Sequence, residues 1–251
     1  MPTPHALSPD ASSAMGTVRG IELLRRVQRA PAREGDGRGA PARARLREEA
    51  LELAQREALV DAAYCWRVVA LEVPTGAHLH AGGERLHAPW LLPESGELTA
   101  LACLVCTLGE RLERRICELF AERRAALALA LDELGNELLF ELARRAQDRL
   151  HARVRRGGLA MAGELRAGDP GLALQAQPAV LRLAQAQRLG VEVTPGAMMH
   201  PVKSTAMVLG VGIDLPAARW SRCDPCPSRE RCARRVPGAA AAASAATPGR
   251  A

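Results

Sequence analysis

The sequence predicts an α+β fold, because helical patterns occupy the middle of the chain and strand patterns lie on both sides of them. Leucines recur at helical spacing from Leu127 to Leu150, which indicates a long buried helix. A continuous apolar run at residues 98–107 indicates a buried strand. The chain has 251 residues, of which 48% are hydrophobic, so it can bury a sizeable core.

Composition sets the expected limits of the folded body. Residues 1–42 are rich in Pro, Gly, Ala and Arg, which predicts a flexible N-terminal region with a short helix near residues 18–29. Residues 236–251 form an Ala-rich, low-complexity stretch with nothing to bury, and we expect a disordered tail. The folded body is therefore predicted to span residues 43–235.

The first elements of this body are predicted as a helix and two strands. Charge pattern and apolar spacing predict a helix over residues 43–63, and residues 65–73 and 98–107 have the composition of strands. Between the strands, His78, His80 and His87 lie in a Gly-rich segment without acidic partners. This segment is predicted as a solvent-facing hairpin rather than a metal site.

Two helices are predicted next. The first covers residues 110–123, with one apolar stripe formed by Leu112, Ile116, Leu119 and Phe120. The second is the leucine-rich helix, which is expected to end at residues 157–158 because glycine can adopt the left-handed cap conformation. The chain then continues with a strand at 159–165, a helix at 178–188, and strands at 191–194 and 205–213.

Charge and aromatic content argue against two classes of partner. The net charge of +6 comes from arginines that alternate with glutamates, which indicates solvated helical faces rather than a polyanion-binding patch. Only 2% of residues are aromatic, so few rings could stack on bases, and we expect no nucleic-acid partner. The absence of a long apolar run and of a signal-like N-terminus predicts a cytoplasmic protein without a membrane partner.

The turn that begins at Arg166 is the first candidate for ligand contact. Gly171 after Pro170 would let the backbone pass close to a ligand, and Arg166 could clamp a carboxylate through two parallel hydrogen bonds. The alternative is an ordinary surface turn. Leu172 follows directly.

A second candidate segment runs from Thr194 through Met199 and Pro201 to Ser204. Its residues 195–196 are Pro-Gly, which indicates a turn, and methionines such as Met199 more often belong to a core than to a site.

The cysteines Cys223, Cys226 and Cys232 have the spacing of a metal site. Two cysteines separated by two residues can reach one metal ion from a tight turn, and a third completes three corners of a tetrahedron. Zinc and an iron–sulfur cluster both accept thiolates, and the alternative is a set of free thiols. By contrast, Cys103 and Cys106 lie three apart in an apolar strand and are expected to face opposite sides of a core.

Together these segments resemble the activation domain of cobalamin-dependent methionine synthase, in the small free-standing form that often ends in a cysteine cluster. The likeness extends to residues 102–109 and 131–136, and so covers about residues 45–235. It departs from the family at Leu172, where the family has Tyr, and at Pro195 and Gly196, where it has Glu and Ser.

The resemblance implies a single C-shaped domain around a twisted antiparallel sheet with long central helices. It also implies that Arg166, Pro170, Gly171, Thr194, Met199 and Ser204 bind S-adenosylmethionine. The expected function is that of an accessory methyltransferase component, which supports reductive remethylation of cob(II)alamin on a partner. That partner would be a corrinoid-binding protein or a methionine synthase lacking its own activation domain.

Two other functions stay open from the sequence. The chain could be a metal-stabilised binding or regulatory module that keeps the fold without binding S-adenosylmethionine. A zinc-ribbon protein that binds nucleic acid ranks last, because the basic residues are spread among the helices.

Overall fold

The computed structural model describes residues 13–29, 40–76 and 78–216. Nine strands and five helices follow one another in these residues, and three short 3₁₀ turns lie between them. The strands are β1 Ser13–Arg19, β2 Asp61–Thr75, β3 His78–Ala81, β4 Glu84–His87, β5 Glu97–Thr107, β6 Ala160–Leu165, β7 Glu192–Val193, β8 Met199–His200 and β9 Ser204–Ile213. The helices are α1 Gly20–Arg29, α2 Ala40–Arg56, α3 Arg111–Ala121, α4 Ala125–Arg156 and α5 Gln177–Ala184.

One seven-stranded antiparallel sheet organises the described residues. Its main path is β4-β3-β2-β5-β9-β6, and β1 pairs with the N-terminal half of β2. β7 and β8 form a separate antiparallel hairpin that leads into β9. The predicted α+β class with an antiparallel sheet and long helices is confirmed.

The sheet is buried on both faces. One face packs against α1, α2, α3 and α4, and its core contains the predicted α4 leucines Leu127, Leu131, Leu134, Leu138, Leu142 and Leu150. The other face packs against α5 and the segment around Leu91 and Leu172. Alternation along β5 sends Cys106 to the first face and Cys103 to the second, as predicted, and both thiols are buried.

Four local predictions need correction. The helix expected over residues 43–63 ends at Arg56, and residues 61–63 already belong to β2. The folded body includes residues 13–29, which form β1 and α1 and were expected before its start at residue 43. Phe120 was placed in the buried stripe of α3 but is 47% exposed. The helix expected over 178–188 ends at Ala184, because Gln185 adopts a left-handed conformation with φ of 57°.

The histidine segment forms the hairpin of β3 and β4, as expected. His78 lies opposite His87, and their ring centroids are 4.9 Å apart.

No helix in the described parts of the chain has the length and apolar character needed to cross a membrane.

Candidate functional site

The segment after β6 forms a closed turn from Arg166 to Leu172. The Asp169 carboxylate accepts a hydrogen bond from the Arg166 backbone N–H at 2.9 Å. The Asp169 N–H in turn donates to the Arg166 carbonyl at 2.8 Å, and the Gly168 N–H donates to the Leu172 carbonyl at 2.9 Å. Short side chains such as aspartate favour this geometry because they can bond to the backbone a few residues away. The turn is thus fixed at both ends.

Gly171 lies against the indole ring of Trp90, which belongs to the 3₁₀ turn Pro89–Leu91. Its φ is +87°, and a Cβ at this position would lie 2.7 Å from Trp90 Cγ. Glycine is therefore required here both for its backbone conformation and for the close approach. Trp90 remains 45% exposed, so part of its ring is available beside the turn.

The guanidinium group of Arg166 pairs with Glu164 on β6. Arg166 Nη2 lies 3.0 Å from Glu164 Oε1, and both side chains are half-buried. The other carboxylate oxygen of Glu164 accepts a hydrogen bond from Gln147 Nε2 of α4 at 2.9 Å. Arg166 therefore projects toward the α4 face of the sheet. Burial raises the pKa of the Cys106 thiol at this end of β5, and the charge of Arg166 opposes that rise.

Thr194 and Met199 flank the β7–β8 hairpin. The Thr194 N–H donates to the Met198 carbonyl at 2.8 Å, and the Ala197 N–H donates to the Thr194 carbonyl at 2.9 Å. The predicted Pro195–Gly196 turn lies at the tip of this hairpin. Thr194 is exposed, whereas Met199 packs against the core on the α5 face.

Ser204 begins β9 and is buried. Its hydroxyl donates to Thr107 Oγ1 at 2.8 Å, and that oxygen also accepts the Gly109 N–H at 3.1 Å. The first bond joins the start of β9 to the end of β5, and the second fixes the turn that follows β5. In this conformation the Ser204 hydroxyl stabilises the pairing of β9 with β5.

The sheet register brings some of the predicted residues to one end and separates others by face. Leu165 lies opposite Val208 and Ser204 lies opposite Thr107, so the Arg166 turn and Ser204 occupy the same end of the sheet. Met199 belongs with the α5 face. The Arg166 guanidinium lies on the α4 face with Glu164.

Two residues of this region were missed from the sequence. Trp90 contacts Gly171, which lies 81 positions later in the chain. The one sequence signal for Trp90 is the rarity of aromatic residues in this chain. Glu164 precedes Arg166 by two residues, a spacing that a strand normally places on one face. That alternation could have suggested the pair.

The proposed metal ligands Cys223, Cys226 and Cys232 lie outside the described residues. Within the described ranges, no group of three or more His, Cys, Asp or Glu side chains could hold a metal ion. The metal site therefore stays a prediction.

The sheet and helices of this chain have the fold of a methionine synthase reactivation domain. Among solved structures the chain is similar to the MetH reactivation domain bound to AdoHcy, with a TM-score of 0.57. The match covers 88% of this chain and 83% of that chain at 12% sequence identity, which establishes the fold. No family model matches the sequence, and no curated protein matches it. The resemblance inferred from the motifs is confirmed at the level of the fold.

Proposed function

We propose that this chain binds S-adenosylmethionine and helps to reactivate a cobalamin-dependent methyltransferase of the methionine synthase type. The observation that carries the proposal is the closed Arg166–Leu172 turn against Trp90 in a reactivation-domain fold. The structural neighbour was crystallised with AdoHcy, which supports the same class of ligand here. The partner would be a corrinoid-binding protein or a methionine synthase without its own activation domain.

The amino-acid end of the ligand matches the charges of Arg166 and Glu164. An α-amino acid group carries a carboxylate and an ammonium at neutral pH, and these two side chains hold opposite charges 3.0 Å apart. A guanidinium group can bind a carboxylate through two parallel hydrogen bonds, while Glu164 accepts from the ammonium. Binding would replace one internal ion pair by two external ones, so no charge would be left unpaired.

The adenine end can be held by Trp90. Aromatic rings stack with an offset on other planar rings, and the exposed part of this indole lies beside the turn. Leu172 is only 1% exposed, so its side chain belongs to the core. Trp90 would therefore supply the ring that the tyrosine of the family pattern provides.

The chain's contribution to catalysis would be positioning. When bound, S-adenosylmethionine supplies an activated methyl group to the corrinoid of the partner. Fixing the donor at Arg166 and Trp90 would bring it to the partner in a defined orientation, which removes much of the entropic cost of the encounter.

Calorimetric titration with AdoHcy and with S-adenosylmethionine tests the proposal. We expect saturable binding by the wild type and, since one charge-assisted contact contributes about 1.5 kcal/mol or more, a loss of about tenfold or more in Arg166→Ala. Arg111→Ala is the matched control, because Arg111 is also an arginine but is exposed on α3. Failure of the wild type to bind either ligand would refute the proposal. If the wild type binds, an anaerobic assay with a cob(II)alamin-loaded partner and reductant would measure methylcobalamin formation by absorbance.

A second candidate function is a metal-stabilised binding or regulatory module that keeps this fold without the ligand. Two observations favour it. Ser204 and Leu172 stand at positions of the family pattern, but Ser204 bonds to Thr107 and Leu172 is buried in the core. Metal analysis of wild type and Cys223→Ser distinguishes the two functions. Stoichiometric zinc or iron, loss of folding on chelation and no ligand uptake would favour the module.

A further inference from the structure

A pocket of about 440 Å³ lies between the C-terminal part of α4 and the β1–β2 edge of the sheet. Its sheet side consists of Ser13 and Ala14 of β1 and Trp66 of β2. The Arg166 turn follows β6 at the opposite edge, four strand steps from β1, so the two regions are separate. The volume falls in the range of about 300–1,000 Å³ that is usual for small-molecule sites.

Three arginines of α4 line the helix side of this pocket. Arg149, Arg153 and Arg156 share one face of the helix because they are four and three residues apart. In the described parts of the chain, neither Arg153 nor Arg156 has an acidic partner, and none of the lining residues is acidic. Among the described residues, the pocket therefore concentrates positive charge that no acidic side chain on its walls neutralises.

Trp66 and Arg149, which line the pocket, both contact Tyr64. Tyr64 and Trp66 stack with ring centroids 5.4 Å apart, and Arg149 Nη1 donates to the Tyr64 hydroxyl at 2.5 Å. Opposite them on β1 stand the small residues Gly16 and Ala14. A Cβ at Gly16 would lie 2.5 Å from the Tyr64 hydroxyl oxygen, so glycine makes room for this arrangement.

Trp66 supplies an aromatic wall of the pocket. Its side chain lines the pocket and the residue is only 6% exposed, yet its indole Nε1–H has no hydrogen-bond partner. Among the described side chains this is the single buried nitrogen or oxygen without one. Because this nitrogen is itself enclosed, the part of Trp66 that borders the pocket is its ring rather than its N–H.

We propose that this pocket binds a small organic phosphate. The phosphate would accept hydrogen bonds from Arg153 and Arg156, the body of the ligand would pack on the Trp66 ring, and Arg149 stays fixed by Tyr64. Phosphate offers three oxygens and a double negative charge, which suits several guanidinium groups better than a carboxylate does. The pocket is larger than one phosphate and is lined by Trp66 and alanines, which favours a ligand with an apolar or planar body.

A titration of the full chain with phenyl phosphate tests this assignment, with benzoate and inorganic phosphate as comparison ligands. We expect phenyl phosphate to bind more tightly than either. Arg153→Ala and Arg156→Ala should each weaken binding about tenfold or more, as expected for loss of a charge-assisted hydrogen bond. Arg155→Ala is the matched control, since Arg155 is exposed on the same helix but does not line the pocket.

The indole provides a second readout that a general charge effect would not change. The Trp66 indole N–H resonance, assigned by its loss in Trp66→Phe, should shift when phenyl phosphate is added. Equal weakening by Arg155→Ala and Arg153→Ala would overturn the proposal, because it would indicate non-specific attraction. Absence of saturable binding, an unshifted Trp66 resonance, or equal affinity for phenyl phosphate and inorganic phosphate would also overturn it.

Discussion

Gly171 and Trp90 are in such close contact that no other residue fits at position 171 without movement. The two residues belong to different turns, yet the indole carbon Cγ stands 2.7 Å from where a Cβ would be. Since Trp90 Cδ2 and Cβ are also within 3.1 Å of that point, the indole cannot relieve the contact by a small rotation. This packing fixes where the Arg166 turn lies on the sheet.

Gly171→Ala should therefore lower both stability and ligand affinity. The substitution combines a left-handed backbone conformation with a clash against a bulky ring, and we expect a loss of about 2–4 kcal/mol in the free energy of unfolding. Denaturant unfolding measures the change. Affinity for AdoHcy should fall as well, because the turn must shift away from Trp90.

Gly190→Ala separates the two causes of this loss. Gly190 also has a positive φ, of +68°, but nothing lies within 4 Å of its Cβ position. It should show the conformational cost of about 1 kcal/mol alone. Equal losses in the two variants would mean that the contact with Trp90 is unimportant.

Glu164→Gln tests whether the Arg166–Glu164 pair clamps a zwitterion. If Glu164 accepts from the ligand ammonium, the neutral amide should bind AdoHcy about tenfold more weakly, because a charge-assisted hydrogen bond is lost. If Glu164 only competes with the ligand for Arg166, the same variant should bind more tightly. Calorimetry gives the sign directly, and tighter binding would contradict the clamp.

Lys203→Met should destabilise the chain by about 1–3 kcal/mol, because Asp132 and Asn136 both lose the ammonium group that pairs with them. The Lys203 side chain is 8% exposed, and Nζ lies 2.7 Å from Asp132 Oδ1 and 2.8 Å from Asn136 Oδ1. Asp132→Asn should cost more, because it leaves the buried ammonium without a carboxylate, whereas the Asp132 carboxylate that Lys203→Met leaves behind is 42% exposed and can be solvated. Unfolding of both single variants and the double variant gives the coupling energy, and additive effects would show that the ion pair contributes nothing.

Local patterns in the sequence predicted the elements whose burial is periodic. The leucines of α4 recur on one helical face, and all six predicted positions are buried. The burial of β1 alternates, but its inward positions are Ala14, Gly16 and Val18, and the apolar Met15 faces outward. The strand was missed because the hydrophobicity of its sequence therefore does not alternate. Phe120 falls outside the core although its spacing is helical, since position in the stripe does not reveal where the facing elements end.

The site depends on contacts that spacing along the chain cannot show. The sequence identified Arg166 and Gly171, but the partner of Gly171 lies 81 residues earlier and that of Ser204 lies 97 residues earlier. Such pairs depend on strand order and register. The left-handed conformation of Gln185 is likewise set by packing, because glutamine has no intrinsic preference for it.

Alkaline pH should destabilise the protein through its buried thiols. Burial raises the pKa of Cys65 to about 11 and that of Cys103 to about 12, from an ordinary value of 9.0. A raised pKa means that the folded state keeps a proton that the unfolded state releases. The stabilisation is therefore complete below pH 9, the pKa of the unfolded thiol, and is lost progressively between pH 9 and the pKa of the folded thiol. Each such thiol should lower the free energy of unfolding by about 1.4 kcal/mol per pH unit in that range. Cys103→Ala should therefore reduce the slope of stability against pH between 9 and 11, whereas Cys117→Ala, which alters an exposed thiol, should not. An unchanged slope in Cys103→Ala would contradict the assignment of this alkaline sensitivity to the buried cysteines.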